Sequence, residues 1–290
     1  MTSTLRSAGL MTLSMGLFAV EDALIKGLGD AFSAAQIVWM LGLGGSGAFA
    51  LWFVATGVPI LSPVYRRPTV LLRTAFEAVG GVFFVSALTL APLALVSAVI
   101  QATPLVVALG ATLFLGTTLG PRRWLAIGVG FVGVVVILRP GSSYVDAAAW
   151  LAVGGMLGLA GRDLVTRTMA RDATGARLSI HAFAGLAVAG GVLQLLQGAP
   201  VVMPTGAQIA IMTLCVVIGM VAYLAIVAAT RSGDLAVVSS FRYTRMLFAL
   251  IIATLFFSER PDFWTLTGAA LVIASGCYTL WREAQTAFLT

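Results

Sequence analysis

The sequence carries very little charge for its length, and this shortage determines the solvent that surrounds the protein. Only 10% of its 290 residues are charged, whereas 60% are hydrophobic and the mean hydropathy is +1.03. A water-soluble domain carries charge on about a quarter of its residues. The composition therefore excludes a soluble globular protein and indicates a chain that lies within a lipid bilayer.

Residues that bind metals or perform catalysis are also scarce. The chain has one histidine, His181, and two cysteines, Cys215 and Cys277, which lie in separate apolar runs. This pattern fits neither a disulfide framework nor a zinc site, and it favours cysteines that serve as small hydrophobes. The sequence contains no nucleotide-binding loop and no nucleophile–base pair at catalytic spacing. We therefore expect no cofactor, no metal and no enzymatic activity.

Long apolar runs occur between charged residues, prolines and glycines along the whole chain. A bilayer core of about 30 Å requires about 20 apolar residues per helix, and the runs lack the alternation of a membrane barrel. The sequence therefore predicts an all-α, polytopic membrane protein of about ten transmembrane helices. The predicted spans are 8–27, 34–57, 69–90, 93–116, 121–138, 147–168, 178–197, 207–230, 235–257 and 263–281.

An internal repeat divides these spans into two halves. Residues 87–139 resemble residues 229–281, since each contains the tetrad ATLF followed by the motif P-x-x-W-x-x-x-G, which begins at Pro121 and at Pro261. The break at 139–143 separates five spans from five. The sequence thus predicts a first five-helix repeat at 1–140 and a second at 141–290. An odd number of spans per repeat makes the second repeat inverted relative to the first.

The distribution of basic residues agrees with inversion, because Lys and Arg accumulate in short cytoplasmic loops. With both termini in the cytoplasm, most of the 17 basic residues lie on that side, and only Lys26, Arg139 and Arg260 lie outside. The pI of about 10.0 is then a signal of topology and does not indicate a nucleic-acid partner. We expect a multi-pass protein of the bacterial inner membrane.

Several short motifs, taken in order, resemble those of a known family. They include Ala87-Leu88, Leu93-Ala94, the mid-helix Pro104, Leu113-Phe114-Leu115-Gly116, Phe241-Arg242-Tyr243 and Ser258-Glu259-Arg260-Pro261-Asp262. Their order and spacing resemble the EamA-type exporters of the drug/metabolite transporter superfamily over nearly the whole chain. Within that family, aromatic amino-acid exporters of the YddG kind are the nearest expected group. The glutamate usual after the fourth helix is Thr117 here, and Glu259 keeps it in the second half.

The resemblance implies a secondary transporter that exports small organic metabolites, with amino acids as the expected substrates, by alternating access. The alternatives are a passive facilitator or channel and an exporter of drugs or other metabolites. A membrane-embedded enzyme is not favoured. The expected partners are a small-molecule substrate and the lipid bilayer, and a duplicated chain can complete its cavity as a monomer.

Charged residues inside a span are costly and mark functional sites. Arg242 and Arg245 are three residues apart on the ninth span, so they are predicted to share a face near the bilayer midplane. Their guanidinium groups could bind a substrate carboxylate through paired hydrogen bonds. Alternatively, they pair with Glu77 or Asp163 and hold the helices together.

The remaining candidates are polar, aromatic and acidic residues within the spans. Gln101 and Tyr243 occupy matching positions in the two repeats and are predicted to be polar substrate contacts, whereas Trp39, Phe83 and Tyr223 either line the site or pack against neighbours. Substrate contact by Glu77 competes with local pairing to Arg73, and Asp163 could pair with Arg167.

The last residues of the predicted site are candidates for proton coupling and for a hinge. Glu21 and Asp163 are candidates for proton coupling, and Glu21 has no partner one turn away along its helix. The alternative for Glu21 is a solvated carboxylate at the membrane surface. Asp22 is expected to pair with Lys26. Pro104 removes a backbone hydrogen bond within the fourth span and is predicted to be a hinge.

Overall fold

The computed structural model describes residues 2–117, 120–140, 147–169, 175–232, 238 and 240–287, and these residues form helices without any strand. The α-helices are α1 Thr2–Leu28, α2 Ala34–Ala55, α3 Pro68–Leu90, α4 Leu93–Ile100, α5 Thr103–Leu115, α6 Pro121–Leu138, α7 Ala147–Arg167, α8 Gly175–Gln197, α9 Gly206–Ser232, α10 Thr244–Phe256 and α11 Phe263–Ala287. Short 3-10 helices lie at Pro63–Arg66 and Phe241–Tyr243.

Nine segments of the described chain are long and apolar enough to cross a bilayer, counting Leu93–Leu115 as one. The 13 residues of α10 fall short of this length, and the predicted span 235–257 begins at residues outside the described part. The prediction of an all-α, polytopic membrane protein of about ten transmembrane helices is confirmed. Hydrophobic length alone was enough to predict it, because every span must cross the same thickness of lipid.

Local sequence signals account for where several helices begin and end. The hydroxyl of Ser33 accepts a hydrogen bond from the backbone nitrogen of Gln36 at 3.1 Å and so caps α2. Pro121 begins α6, where its missing N–H costs nothing. Gly116 ends α5 with a φ of 68°, a left-handed conformation that a residue without a Cβ adopts without strain.

Two predicted spans contain short interruptions that the sequence analysis does not predict. The predicted fourth span, 93–116, is divided into α4 and α5 by a turn at Gln101 and Ala102. The described part of the predicted ninth span, 235–257, contains the 3-10 helix Phe241–Tyr243 before α10 begins at Thr244. Both interruptions lie within apolar sequence, so a search for apolar runs passes over them.

Contacts among the helices divide the chain into two compact units. Unit 1 comprises Met1–Ala23, Ala91–Trp150 and Ile218–Thr290, and unit 2 comprises Leu24–Leu90 and Leu151–Val217. Each unit therefore contains helices from both halves of the sequence. This division differs from the predicted repeats at 1–140 and 141–290, because the repeats are defined by sequence similarity and the units by contacts between helices.

Unit 2 is held together by helices that approach closely at glycines. A Cβ atom on Gly42 of α2 would overlap the backbone of Ala187 in α8, and a Cβ atom on Gly80 of α3 would lie 2.9 Å from the backbone nitrogen of Leu159 in α7. Lipid tails are as apolar as the side chains, so packing between helices depends on such close contacts.

In unit 1, α6 and α11 run antiparallel along their whole length. Gly133 and Gly268 bring the two backbones together within two turns of one end, where Arg139 forms an ion pair with Asp262. Burial by itself would raise the pKa of Asp262, but hydrogen bonds from the backbone and hydroxyl of Thr265 and from Arg139 hold it below its ordinary value. The ion pair therefore persists at neutral pH.

Candidate functional site

The candidate site is centred on the two interruptions in unit 1. In the first, Pro104 has no N–H to offer the carbonyl of Ile100, and the hydroxyl of Thr103 donates to that carbonyl at 2.6 Å. In the second, the hydroxyl of Thr244 donates to the carbonyl of Phe241 at 2.6 Å, although no proline is present. At both interruptions a threonine hydroxyl thus bonds a nearby backbone carbonyl.

The two interruptions lie against each other. The side-chain amide of Gln101 donates to the backbone carbonyl of Arg242 at 3.3 Å, and α4 packs on α10. A rise of about 1.5 Å per residue puts Gln101 about 12 Å from the start of α4, well inside the span. Polar backbone groups at this depth are tolerated where they are buried in protein or line a cavity.

Tyr243 is buried beside this contact, with 4% of its surface exposed. Its ring lies against Gly276 of α11, where a Cβ atom would overlap the phenol oxygen. The hydroxyl has no hydrogen-bond partner among the described residues. Since a buried hydroxyl without a partner is costly, Tyr243 can donate to a polar group of a bound molecule or of water.

Arg245 and Asp22 form the principal ion pair of the site. Arg245 Nη2 lies 2.6 Å from Asp22 Oδ2, its Nε lies 3.1 Å from the same oxygen, and the guanidinium lies 5.3 Å from the ring centre of Phe18. The predicted partners of the arginines, Glu77 and Asp163, lie in unit 2 instead. Asp22 was expected to pair with Lys26 on the helix surface, yet it is buried and holds α1 to α10.

Glu21 precedes Asp22 but faces a different helix. A Cβ atom on Gly219 of α9 would lie 2.9 Å from Glu21 Oε1, so the absence of a side chain there makes room for the carboxylate. No hydrogen bond or ion pair to Glu21 is found among the described residues. Tyr223 lies one turn beyond Gly219 on α9 and is half-buried.

Arg242 and Arg245 make different contacts in this structure. Arg242 belongs to the 3-10 helix and is exposed, whereas Arg245, the second residue of α10, is held by Asp22. One arginine is thus neutralised, and the other is open to an anion.

The remaining predicted residues belong to unit 2. Arg162 of α7 lies 2.9 Å from Glu77 Oε1 and 2.8 Å from Asp163 Oδ1, so it joins both carboxylates. The predicted pair of Glu77 with Arg73 is confirmed at 3.2 Å. Two arginines balance the charge of Glu77, so its contacts in this structure are those of a group that holds helices together.

The aromatic candidates of unit 2 contact neighbouring helices. A Cβ atom on Gly190 of α8 would lie 2.5 Å from the backbone nitrogen of Trp39, and the side chain of Trp39 is half-buried. Phe83 packs on Gly154 of α7 and remains 37% exposed. Packing, the alternative considered for both residues, accounts for these contacts.

A glutamate from the second repeat caps a helix of the first. Glu259 accepts hydrogen bonds from the backbone nitrogens of Leu93 at 2.8 Å and Ala94 at 3.1 Å. The preceding Pro92 has no side chain able to cap α4. A carboxylate also complements the positive end of the helix dipole. The sequence shows that Glu259 is present where the first repeat has Thr117, but the residues that Glu259 contacts are visible only in the fold.

Glu259→Ala is expected to lower the free energy of unfolding by about 0.5–2 kcal/mol, because the first amides of α4 lose their acceptor. Thermal unfolding in detergent measures the change. Arg260→Ala is the matched control, since Arg260 is the next residue and is exposed. Equal stability of the two variants would contradict the capping role.

Comparisons with known proteins agree with this arrangement. The EamA-like transporter family matches residues 6–139 and again residues 147–281. The chain is 30% identical over 215 residues to a riboflavin transporter of Rhizobium johnstonii, covering 74% of this chain and 70% of the relative. It is 30% identical over 289 residues to a pseudopaline exporter of Pseudomonas aeruginosa, covering 95% and 96%.

More distant matches extend over nearly the whole chain. An S-adenosylmethionine uptake transporter of Rickettsia felis is 23% identical over 291 residues, covering 97% of this chain and 94% of the relative. A crystal structure with 20% identity superposes with a TM-score of 0.64 over 98% of this chain and 97% of that one, which shows the shared fold. This protein is therefore a multi-pass membrane protein that belongs to the EamA-like transporter family of the drug/metabolite transporters, with the two-repeat fold of that family.

Proposed function

We propose that the chain is a secondary transporter that exports a small organic metabolite across the bacterial inner membrane by alternating access, with inverted repeats and both termini cytoplasmic. The observation that carries the proposal is the pair of interrupted spans joined by Gln101 and the carbonyl of Arg242. Transporters of this general design bind their substrates where discontinuous helices meet.

The polar groups of unit 1 favour a substrate that carries a carboxylate. Arg242 is exposed, the Tyr243 hydroxyl has no partner among the described residues, and Arg245 could exchange Asp22 for a substrate anion. Amino acids fit this chemistry and remain the predicted class. Relatives named for riboflavin, S-adenosylmethionine and pseudopaline support other small metabolites equally.

Glu21 is the residue we propose for proton coupling. It lies in α1 next to the Asp22–Arg245 pair and carries no counter-ion of its own among the described residues. Binding and release of a proton there would change the charge beside that pair. Asp163, the other candidate, is already bonded to Arg162. Pro104, the second residue of α5, would let the fourth span change angle as the site opens to either side.

Counterflow in proteoliposomes tests the function. A panel of radiolabelled amino acids, with riboflavin and S-adenosylmethionine, should contain at least one compound that exchanges across the membrane. If one proton is coupled, a gradient of one pH unit supports up to about tenfold accumulation of that compound. Glu21→Gln should retain counterflow and lose the accumulation.

Asp30→Asn is the control, because Asp30 is an exposed carboxylate just beyond the end of the same helix. It should keep both counterflow and accumulation. Gradient-driven accumulation that survives Glu21→Gln would contradict the coupling role. Counterflow without accumulation in the unaltered protein would favour the passive facilitator, and an absence of exchange for every compound would contradict the proposed substrate class.

A further inference from the structure

The antiparallel helices α6 and α11 differ in character at their two ends. The Arg139–Asp262 ion pair closes one end, and Gly133 and Gly268 bring the backbones together within two turns of it. Towards the other end, residues of both helices line a groove with a volume of about 260 Å³. The groove therefore lies away from the ion pair and the glycine contact.

The lining of this groove is almost entirely apolar, and Arg122 is its one basic residue. The groove is lined by Leu125, Ala126, Val129, Ser275, Tyr278 and Arg122. Residues 122, 125, 126 and 129 follow helical spacing, so they form one stripe of α6 with the arginine at its end. Val129 is 38% exposed and Leu125 is 71% exposed, so the apolar part of the groove is open from the side.

The basic end of the groove coincides with the end of the membrane span. The 18 residues of α6 extend about 27 Å, close to the thickness of the hydrocarbon core, so Arg122 at its start lies at the level of lipid headgroups. The antiparallel pairing puts Arg282 of α11 near the same level. Trp124 and Trp281, both about half exposed, belong to the aromatic residues that favour this depth.

We propose that this groove binds an anionic glycerophospholipid of the phosphatidylglycerol type, with one acyl chain along Leu125 and Val129 and the phosphate at Arg122. The order of groups in the lipid, apolar chain and then negative phosphate, matches the order of groups in the groove. Arginine holds phosphate through paired hydrogen bonds, and basic pockets between transmembrane helices recognise anionic headgroups. This site is separate from the interrupted helices that carry the proposed transport function.

Native mass spectrometry of the full chain, titrated with phosphatidylglycerol or with phosphatidylcholine of the same acyl chains, tests the proposal. The unaltered protein should bind phosphatidylglycerol more tightly. Arg122→Gln should weaken that binding about fivefold and leave phosphatidylcholine binding unchanged, since one arginine near a membrane surface contributes about this factor. Arg167→Gln removes an equally exposed arginine of unit 2 and should change neither affinity.

A second pair of variants tests the apolar part. Val129→Trp fills the groove and should weaken binding of both lipids, whereas Val132→Trp, at an exposed position outside the groove, should not. Equal affinities for both lipids in the unaltered protein would overturn the proposal, as would equal effects of Arg122→Gln and Arg167→Gln. A dimer that forms without lipid and is lost with Val129→Trp would assign the groove to a second copy of the chain.

Discussion

Replacing Arg245 with methionine is expected to destabilise the protein by about 3–5 kcal/mol and to abolish transport. The guanidinium is the partner of Asp22, whose side chain is only 4% exposed. Without Arg245, this carboxylate is left buried without a counter-charge, and α1 loses its bond to α10. Thermal unfolding in detergent measures the loss of stability, and counterflow in proteoliposomes measures transport.

A double variant separates the structural role of the pair from substrate binding. Asp22→Leu combined with Arg245→Met replaces both charges by apolar side chains, which typically restores the stability lost in the single variant. If Arg245 also binds the substrate carboxylate, transport stays lost although the protein is stable again. Recovery of transport together with stability would contradict substrate binding by Arg245. Arg260→Ala, at an exposed loop position, controls for the loss of one positive charge.

Gly42→Ala is expected to lower the free energy of unfolding by about 3 kcal/mol, at the upper end of the usual cost of overpacking. A methyl group at Gly42 would overlap the backbone of Ala187, so α2 and α8 must move apart as whole helices. A side chain could turn aside, but a backbone cannot. Chemical or thermal denaturation in detergent measures the effect.

Gly47 provides a control on the same helix. Nothing lies within 4 Å of a Cβ atom at that position, and the residue is exposed. Gly47→Ala should leave stability unchanged or raise it slightly, because alanine favours the helix more than glycine does. If both variants lost stability equally, helix propensity rather than the contact of α2 with α8 would have to explain the result.

The sequence predicts the spans of this protein well but its site only in part. Each span is visible in the sequence as a continuous run of apolar residues, whereas an ion pair depends on which helices become neighbours in the fold. Glu21 and Asp22 are adjacent in sequence and differ by about 100° around α1, so one faces α9 and the other faces α10. No spacing rule could identify Arg245 as the partner of Asp22.

The interruptions of the two spans show a second limit. Pro104 signals the first, although the turn occurs at Gln101 and Ala102, just before it. The second has Met246 at the repeat position of Pro104, and its Tyr243 packs against Gly276 of another helix. A proline can be recognised in the sequence, but the packing of Tyr243 against Gly276, which are far apart in the chain, is visible only in the fold.

The bond from Glu259 to the start of α4 has a consequence for the ancestry of the chain. A dimer made of two identical first halves would offer Thr117 at this place, a residue too short to reach two amides as a carboxylate does. The first half therefore relies, for the cap of α4, on a carboxylate that only the second half supplies. A symmetric dimer of first halves would leave the first amides of both copies of α4 without that acceptor.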